Sequence, residues 1–230
     1  MASITSYFRL EPDPEHRFEW ANFTRLGNRI FAKSRGRDGA LRWKVWDTED
    51  GTLIDTLPPA GFQFISVEFN HDGTAYAATE PDGKAGAWKV GEGAPRFRTP
   101  IEGTPSWVRW AALSDDGKRM VTLMPSPGRL AFWNLETGYR MPSSTQAARV
   151  LGKGGPNAQL ISSANDWLVH LWDWTTGQPT AALPTDGMVT DASLVRTRNG
   201  HWAGAVFRSP VGAPRVVVWG LPLVDRQFRD

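Results

Sequence analysis

Short apolar runs separated by turn-forming residues recur along the chain. The stretch ISVEFNHDGTAYAATEPDGKAGAWKVGEG, residues 65–93, holds three such runs, with Asp-Gly pairs at residues 72–73 and 82–83 between them. Runs of this length bounded by Asp-Gly are typical of antiparallel strands joined by tight turns. The stretch therefore predicts three antiparallel strands, the third ending at Trp88, and then a turn that closes on Gly93.

The same pattern occurs five times. Each copy ends its third predicted strand in Trp, and successive residues of this set are 39 to 47 positions apart: Trp46, Trp88, Trp133, Trp172 and Trp219. A period of this length is the signature of a repeat fold. In the first four copies a Gly follows five residues after the Trp, at Gly51, Gly93, Gly138 and Gly177. These glycines predict a reversal at positive φ into a short fourth strand.

Four antiparallel strands in each repeat are typical of a propeller blade. We therefore predict an all-β fold, a β-propeller of about five four-stranded antiparallel blades, formed by residues 1–230 as a single domain. The approximate repeats are residues 15–60, 61–103, 104–147, 148–187 and 188–230. Consecutive apolar residues in the third strand, such as Val216–Trp219, predict burial between neighbouring blades, with the indole N–H bonded to a buried acceptor.

These motifs resemble those of the WD-repeat family, whose blades end the third strand in Trp-Asp or a close variant. Asp47 and Asp173 match the Asp of that pair, whereas Lys89, Asn134 and Gly220 depart from it. In the family, an Asp in the preceding turn holds a buried polar network with a His, and Asp82 and Asp166 match that Asp. The Gly-His dipeptide is missing from the start of all five copies. The resemblance thus implies a propeller that relies more on apolar packing than on this network.

Closure of the fifth blade is predicted from the N-terminal stretch. The last copy lacks a Gly after Trp219, and TSYFRLEP resembles the fourth segments of the other copies. We predict that residues 3–11 complete the last blade. Two alternatives stay open: residues 223–230 form the missing strand, or the blades make an open arc that is finished by another chain or by a second copy.

Composition limits the cellular setting. The chain has no cysteine, which excludes disulfides, thiolate metal sites and a cysteine nucleophile, and favours a reducing compartment. No apolar run reaches about 18 residues, and the first ten residues lack the basic start and apolar core of a signal peptide. We expect a cytoplasmic protein with no membrane partner. The formal net charge of +2 is too small to indicate nucleic acid by itself.

Candidate catalytic residues are few. The four histidines, His16, His71, His170 and His201, have no catalytic or metal-binding spacing, and Asp115 and Asp116 fall in a predicted hairpin turn. GKGGPN, residues 152–157, lacks the Lys-Ser/Thr ending of a phosphate-binding loop. We therefore expect no enzymatic activity, no cofactor and no metal. A glycoside-processing enzyme, with acids from different blades around a channel, stays open as a less favoured alternative.

The surplus of tryptophan suggests a second alternative, a carbohydrate-binding, lectin-like five-bladed propeller. Seven tryptophans lie outside the repeat position: Trp20, Trp43, Trp107, Trp110, Trp167, Trp174 and Trp202. They fall at unequal positions in the repeats, which argues against a glycan site repeated in each blade. The favoured interpretation, which follows from the WD-repeat resemblance, is a noncatalytic protein-interaction scaffold that serves as a subunit or adaptor of a larger complex.

Basic residues concentrate in the first and fifth copies. In a closed ring these copies are neighbours, so their cations could form one surface for a protein with an acidic face, or for nucleic acid within a complex. The predicted partner-binding residues are Arg29, Lys33, Arg35, Arg37, Arg196 and Arg198. SRGRDG, residues 34–39, is predicted to be an exposed loop, which favours Arg35 and Arg37. The alternative, ordinary solvated charges scattered over both faces, stays open.

Overall fold

The computed structural model describes residues 9–11, 13–99, 107–124, 129–142, 149–154, 159–163, 168–185, 187–197, 200–208 and 215–221. These residues form strands and turns, and no helix occurs among them. The chain divides into two compact units, Met1–Thr122 with Asn134–Gly138, and Leu123–Trp133 with Tyr139–Asp230.

Five sheets follow one another along the chain, one for each predicted repeat. The first has the order β1–β2–β3–β4, with β1 His16–Phe23, β2 Arg29–Gly36, β3 Leu41–Asp47 and β4 Leu53–Leu57. The second has the order β5–β6–β7–β8, with β5 Ser66–Phe69, β6 Ala75–Thr79, β7 Ala85–Lys89 and β8 Phe97–Arg98. Both sheets are antiparallel throughout.

The remaining sheets keep the pattern. The third has the order β12–β11–β10–β9, with β9 Trp110–Leu113, β10 Arg119–Met124, β11 Arg129–Asn134 and β12 Arg140–Met141. The fourth has the order β13–β14–β15–β16, with β13 Arg149–Gly154, β14 Gln159–Ser163, β15 Leu168–Asp173 and β16 Gln178–Pro184. The fifth is a three-stranded sheet in the described residues, with β17 Met188–Thr197, β18 Gly200–Arg208 and β19 Arg215–Leu221. The predicted all-β fold with four-stranded antiparallel sheets is thus confirmed for four repeats.

The residue after the repeat Trp organises the turn that follows it. Asp47 Oδ1 accepts a hydrogen bond of 2.8 Å from the backbone N–H two residues later, and Asp173 Oδ1 accepts one of 2.7 Å in the same way. Asn134 does the same at 2.9 Å, although it departs from Trp-Asp. A short side chain with an acceptor oxygen is what this Asx-type turn requires. The residue after the repeat Trp therefore shapes the turn through its side-chain oxygen, and Asn forms the same turn as Asp.

The glycine that closes this turn behaves as predicted in three repeats. Gly51, Gly138 and Gly177 have φ of 75°, 73° and 67°, and each donates its N–H to the carbonyl of the residue after the Trp. The prediction was wrong for Gly93, because Gly91, with φ of 83°, takes the left-handed conformation in the second repeat. The turn there closes two residues earlier than the sequence alignment suggested.

The repeat tryptophans lie in the core. Trp46, Trp88, Trp133 and Trp172 are all buried, as the pattern predicted. In the first unit Trp43, Val45 and Leu57 share one apolar cluster with Tyr76 and Trp88. Among the described residues the buried indole N–H of Trp88 has no hydrogen-bond partner, so the acceptor expected for it is not found. Apolar and aromatic packing of the side chain, together with the pairing of β7 with β6, holds this residue in place.

The predicted closing strand falls mostly outside the described residues. Of residues 3–11 only Arg9–Glu11 are described, and they do not belong to a strand. The alternative closing segment, residues 223–230, and the network residue Asp166 also lie outside. Completion of the fifth sheet therefore stays a prediction.

Candidate interaction surfaces

The basic residues predicted on the first repeat do not form one group. Arg29 begins β2, whereas Lys33 and Arg35 lie near its other end. Six residues of strand place Arg29 and Arg35 about 20 Å apart. The stem of Arg29 packs against the turn at Gly73, where an added Cβ would lie 2.9 Å from its Cδ. Arg29 therefore belongs to the contact between the first and second sheets.

Glu19 joins two of the predicted cations. The register of β1 shifts between Phe18 and Trp20, so Glu19 sits in a bulge beside β2. Its carboxylate accepts a hydrogen bond from Lys33 Nζ at 2.9 Å and one from Arg35 Nε. The hydrogen bond from Lys33, and then that from Arg35, holds the pKa of Glu19 below its usual range. Sequence reasoning missed this carboxylate because it counted acids within one stretch rather than across the strand pair.

Two more ion pairs neutralise the first sheet. Arg37 Nε lies 3.3 Å from Glu15, with both side chains exposed, and Lys44 Nζ lies 2.7 Å from Asp13. The hydrogen bond from Lys44 lowers the pKa of Asp13. Residues 13–57 contain eight Lys and Arg and eight Asp and Glu. The first sheet therefore carries no excess of positive charge.

The loop predicted for residues 34–39 is corrected by the structure. Strand β2 continues to Gly36, so Arg35 lies on the strand and only Arg37 lies in the turn that follows. In the fifth sheet Arg196 lies near the end of β17, where its backbone pairs with that of His201, and Arg198 lies outside the described residues. A basic surface shared by the first and fifth repeats stays a prediction.

An apolar row crosses all four strands of the first sheet. Phe23 pairs with Ile30, Ile30 with Trp46, and Trp46 with Leu53, so the four side chains lie side by side on one face. We name these residues the Trp row. Phe18 meets Trp46 edge to face at 6.0 Å, and Trp46 is buried. The two ends are open to solvent, with Phe23 60% and Leu53 47% exposed.

The matching row of the second sheet is fully covered. Phe69 pairs with Tyr76, and Tyr76 with Trp88, and all three are buried. They share a core with Trp43 and Val45, which lie on the face of the first sheet opposite the Trp row. A row of this kind is therefore buried by a neighbouring sheet in the second repeat, whereas Phe23 and Leu53 at the ends of the Trp row are exposed.

A second exposed apolar surface lies on β19. Val216 is 68% and Val218 60% exposed, and both point to the same face of the strand. We name these two residues the valine face. The prediction that Val216–Trp219 is buried is therefore wrong for the two valines, and Trp219 is only partly covered. The apolar pattern of this strand matches its sister strands, but its environment does not.

The histidines and carboxylates considered as catalytic candidates contact core or turn residues. His170 is buried in β15 with its ring 6.2 Å from Trp172, and His16 Nδ1 lies 3.5 Å from Ser34 Oγ. Asp116 accepts hydrogen bonds from Ser114 Oγ and from the backbone N–H of Lys118, which makes it a turn residue. Across the described ranges no group of three or more His, Asp or Glu side chains is placed to hold a metal ion.

The surplus tryptophans have unlike environments. Trp43 and Trp174 are buried, whereas Trp20 and Trp107 are exposed. Trp167 lies outside the described residues. Among those described, no equivalent aromatic platform recurs from sheet to sheet, and the lectin-like alternative gains no support.

A cavity of about 310 Å³ lies within the first unit, where turns of the second and third sheets meet. Asn70 Nδ2 donates to the carbonyl of Asp115 at 3.3 Å and ties the two turns together. The charged side chains of the wall include Lys118 and Glu136, which form an ion pair of 3.1 Å. The other charged residues of the wall are two cations, Lys89 and Arg96, and one carboxylate, Asp116. Because the wall holds both positive and negative side chains, the cavity does not favour a strongly charged ligand.

The fold and these surfaces define an all-β repeat protein built from several four-stranded antiparallel sheets, with exposed apolar residues on its first and last sheets. No helix in the part of the chain that the structure describes is long and apolar enough to cross a bilayer. No family model matches the chain.

One curated relative is informative. The chain is 26% identical over 167 residues to autophagy-related protein 16 of Arabidopsis thaliana, a match that covers 71% of this chain and 32% of that protein. The chain thus spans about a third of the length of this relative. The similarity and the repeated sheets are compatible with the WD-repeat resemblance.

Proposed function

We propose that the chain is a noncatalytic protein-interaction scaffold, a subunit or adaptor of a larger complex, whose sheets are the blades of a WD-repeat-like propeller with about five blades. The five sheets in sequence order and the buried repeat tryptophans of the first four support the blade assignment. The similarity to autophagy-related protein 16 is compatible with it. The absence of catalytic activity and a cytoplasmic location stay predictions.

The observation that carries the proposal is the exposure of both ends of the Trp row. Phe23 and Leu53 are open to solvent on a row that is buried in the second sheet by a neighbour. Ile30 and the buried Trp46 lie between them, so a partner that spans the row would remove two exposed apolar side chains from water. A protein that covers this row would be held by the same packing that joins the first two sheets.

Charge has a secondary role in the proposal. Lys33 and Arg35 already bind Glu19, and Arg37 already binds Glu15. An acidic protein or a nucleic-acid backbone would have to displace these carboxylates. Electrostatic attraction therefore adds selectivity and a faster encounter to an apolar contact, rather than most of the affinity.

Affinity capture from the native cell tests the proposal. The tagged chain is compared with Phe23→Asp, which places a charge at the end of the Trp row. Leu26→Asp is the matched control, because Leu26 is equally exposed and lies in a turn outside the row. We expect the chain and the control to retain proteins that Phe23→Asp loses. Capture of the same proteins by all three would show that the Trp row is not the binding surface. Capture of no protein by any of them would contradict the scaffold function.

A further inference from the structure

The turns between the first two strands of the first three sheets share one hydrogen bond. A backbone N–H donates to the carbonyl five residues further on, at 3.0 Å in each case: Thr24 to Arg29, Asn70 to Ala75, and Ser114 to Arg119. The three acceptors hold the same position, the first residue of the second strand of their sheet. This residue is arginine in the first and third sheets and alanine in the second.

The size of this residue determines the space beside the turn of the next sheet. Between the first and second sheets the space is filled, because a Cβ added at Gly73 would lie 2.6 Å from Thr24 Cγ2 and 2.9 Å from Arg29 Cδ. Gly117 has the same place in the turn of the third sheet. A Cβ added there would have Ala75 Cβ as its nearest neighbour among the described residues, at 3.8 Å. Alanine therefore leaves open a space that arginine fills in the neighbouring contact.

The cavity of about 310 Å³ lies at this open place, with Ala75 and Gly117 in its wall. Apolar side chains form one part of the wall: Ala75, Ala87, Trp88, Leu113 and Leu135. Ala87, Trp88 and Leu113 are at most 2% exposed, so this part belongs to the core. A cavity of this size with an apolar lining and a few polar groups is typical of a site for a small molecule.

Most of the charges around the cavity cancel in pairs. Lys118 Nζ lies 3.1 Å from Glu136, and both residues are in the wall. Asp116 Oδ2 lies 3.9 Å from Arg119 Nη1, and its Oδ1 accepts a hydrogen bond from Ser114 Oγ. These two carboxylates therefore already have cationic partners.

The two remaining cations share a single carboxylate. Glu92 lies 3.0 Å from Lys89 Nζ and 3.8 Å from Arg96 Nε, and the two cations are wall residues whereas Glu92 is not. The wall and its ion-pair partners thus keep one positive charge in excess, on the side of Lys89 and Arg96. One charge matches one carboxylate on a ligand and does not favour a multiply charged phosphate.

We propose that this cavity binds a small molecule that carries a single carboxylate on an apolar body. The body packs against Trp88 and Leu113, and the carboxylate binds between Lys89 and Arg96, where it competes with Glu92 for the two cations. Arg29 closes the equivalent space in the first sheet, so the site occurs where the second sheet has Ala75. This binding goes beyond the scaffold function and uses residues outside the Trp row.

Three probes with one body and different head groups test the ligand class. Phenylbutyrate, phenylbutyramide and phenylbutylamine are titrated into the purified full-length chain by calorimetry, with ligand-detected NMR for weak binding. We expect phenylbutyrate to bind at least about tenfold more tightly than the amide, because a hydrogen bond to a charged group is stronger than a neutral one. The amine should bind most weakly, because it adds a second positive charge beside Lys89 and Arg96.

Variants at Ala75 test the location. Ala75→Arg supplies the residue that fills the space in the first sheet, so it should fold and lose binding of all three probes. Ala75→Ser keeps the space open and is the matched control, which should bind like the unchanged chain. If thermal unfolding shows that Ala75→Arg does not fold, Ala75→Leu fills part of the same space with an apolar side chain.

Variants at the cations test the head-group side. Lys89→Gln removes the excess positive charge and should lower the affinity for phenylbutyrate to about that for the amide, with the affinity for the amide unchanged. Lys84→Gln is the control, because Lys84 lies outside the wall and binds Asp82 at 2.7 Å. It should change neither affinity.

Three results would overturn the proposal: no probe binds, the acid and the amide bind equally, or Ala75→Arg binds phenylbutyrate as tightly as the unchanged chain. If no probe binds but Ala75→Arg loses proteins in the native-cell capture, the cavity receives a protein side chain and the small-molecule site is wrong. The capture experiment with Phe23→Asp does not depend on this cavity, so the scaffold function is tested separately.

Discussion

Tyr76 and Trp88 lie parallel on adjacent strands, with ring centroids 5.6 Å apart and an angle of 3° between their planes. Phe64 meets Trp88 at a steeper angle with a centroid distance of 4.8 Å, so the indole is enclosed by aromatic rings. This pair is the centre of the core that the first two sheets share.

Truncation of Trp88 should be severe. Trp88→Ala leaves a cavity among packed rings and should reduce the free energy of unfolding by about 3–5 kcal/mol, as large-to-small core changes do. Leu26→Ala, at an exposed site in a turn, is the control and should cost about 0.5 kcal/mol or less. Denaturant unfolding of both variants measures the difference, and equal midpoints would contradict the core assignment.

Removal of the Tyr76 hydroxyl should be harmless. The hydroxyl is buried without a hydrogen-bond partner among the described residues, and burial raises the pKa of Tyr76 above its usual range. Since an unsatisfied buried polar group costs about 1–3 kcal/mol, Tyr76→Phe should leave stability unchanged or raise it by up to that amount. Thermal unfolding provides the test, and a marked loss of stability would show that the hydroxyl has a partner.

The ion pair between Asp13 and Lys44 should appear in the pH dependence of stability. Lys44 lowers the pKa of Asp13 in the folded state, so the stabilisation is present above the ordinary pKa of 3.8 and is lost as the pH falls through the lower folded value. Asp13→Asn should unfold at a lower temperature than the unchanged chain at about pH 6, and the difference between the two should shrink as the pH falls below 3.8. Parallel curves would contradict this assignment.

Loss of the Glu19 carboxylate should leave the positive charges of Lys33 and Arg35 without their ion-pair partner. Glu19→Gln releases Lys33 and Arg35, so the variant should elute from a polyglutamate or heparin column at higher salt than the unchanged chain. Glu49→Gln removes the same charge from an exposed turn and is the matched control. Equal shifts in both variants would show a net-charge effect rather than a local one.

The predicted closing strand is tested by deletion. If residues 3–11 supply the fourth strand of the fifth sheet, a chain that lacks residues 1–11 exposes the edge of β19 and should aggregate or unfold at a lower temperature. Light scattering and thermal unfolding measure the outcome. A truncated chain as stable and as well dispersed as the full chain would favour closure by residues 223–230.

The local elements were readable from the sequence because they depend on near neighbours. The Asp-Gly turns at residues 72–73 and 82–83 occur as predicted, since Gly73 and Gly83 have φ of 69° and 85°. The apolar context of the repeat tryptophans correctly predicted burial for four of the five. The role of Asn134 was missed because matching to Trp-Asp treats it as a departure, whereas the turn requires only an acceptor oxygen at that position.

The surfaces were harder to predict because they depend on pairing between strands and sheets. The register that brings Glu19 to Lys33 and Arg35 includes a bulge, which the alternation of residues in β1 does not reveal. Exposure of Val216 and Val218 was also hidden, because their apolar sequence is the same as that of buried sister strands. Burial in a repeat protein depends on the neighbouring repeat, so the apolar pattern of a strand does not by itself predict burial in a terminal repeat.

The most direct test of the scaffold function is photo-crosslinking from the Trp row in the native cell. A benzophenone amino acid replaces Phe23 in one experiment and Leu26, outside the row, in another. We predict a covalent adduct with another protein molecule from position 23 and little or none from position 26. The absence of any adduct from position 23, or equal adducts from both positions, would contradict the claim that the first sheet presents a docking surface.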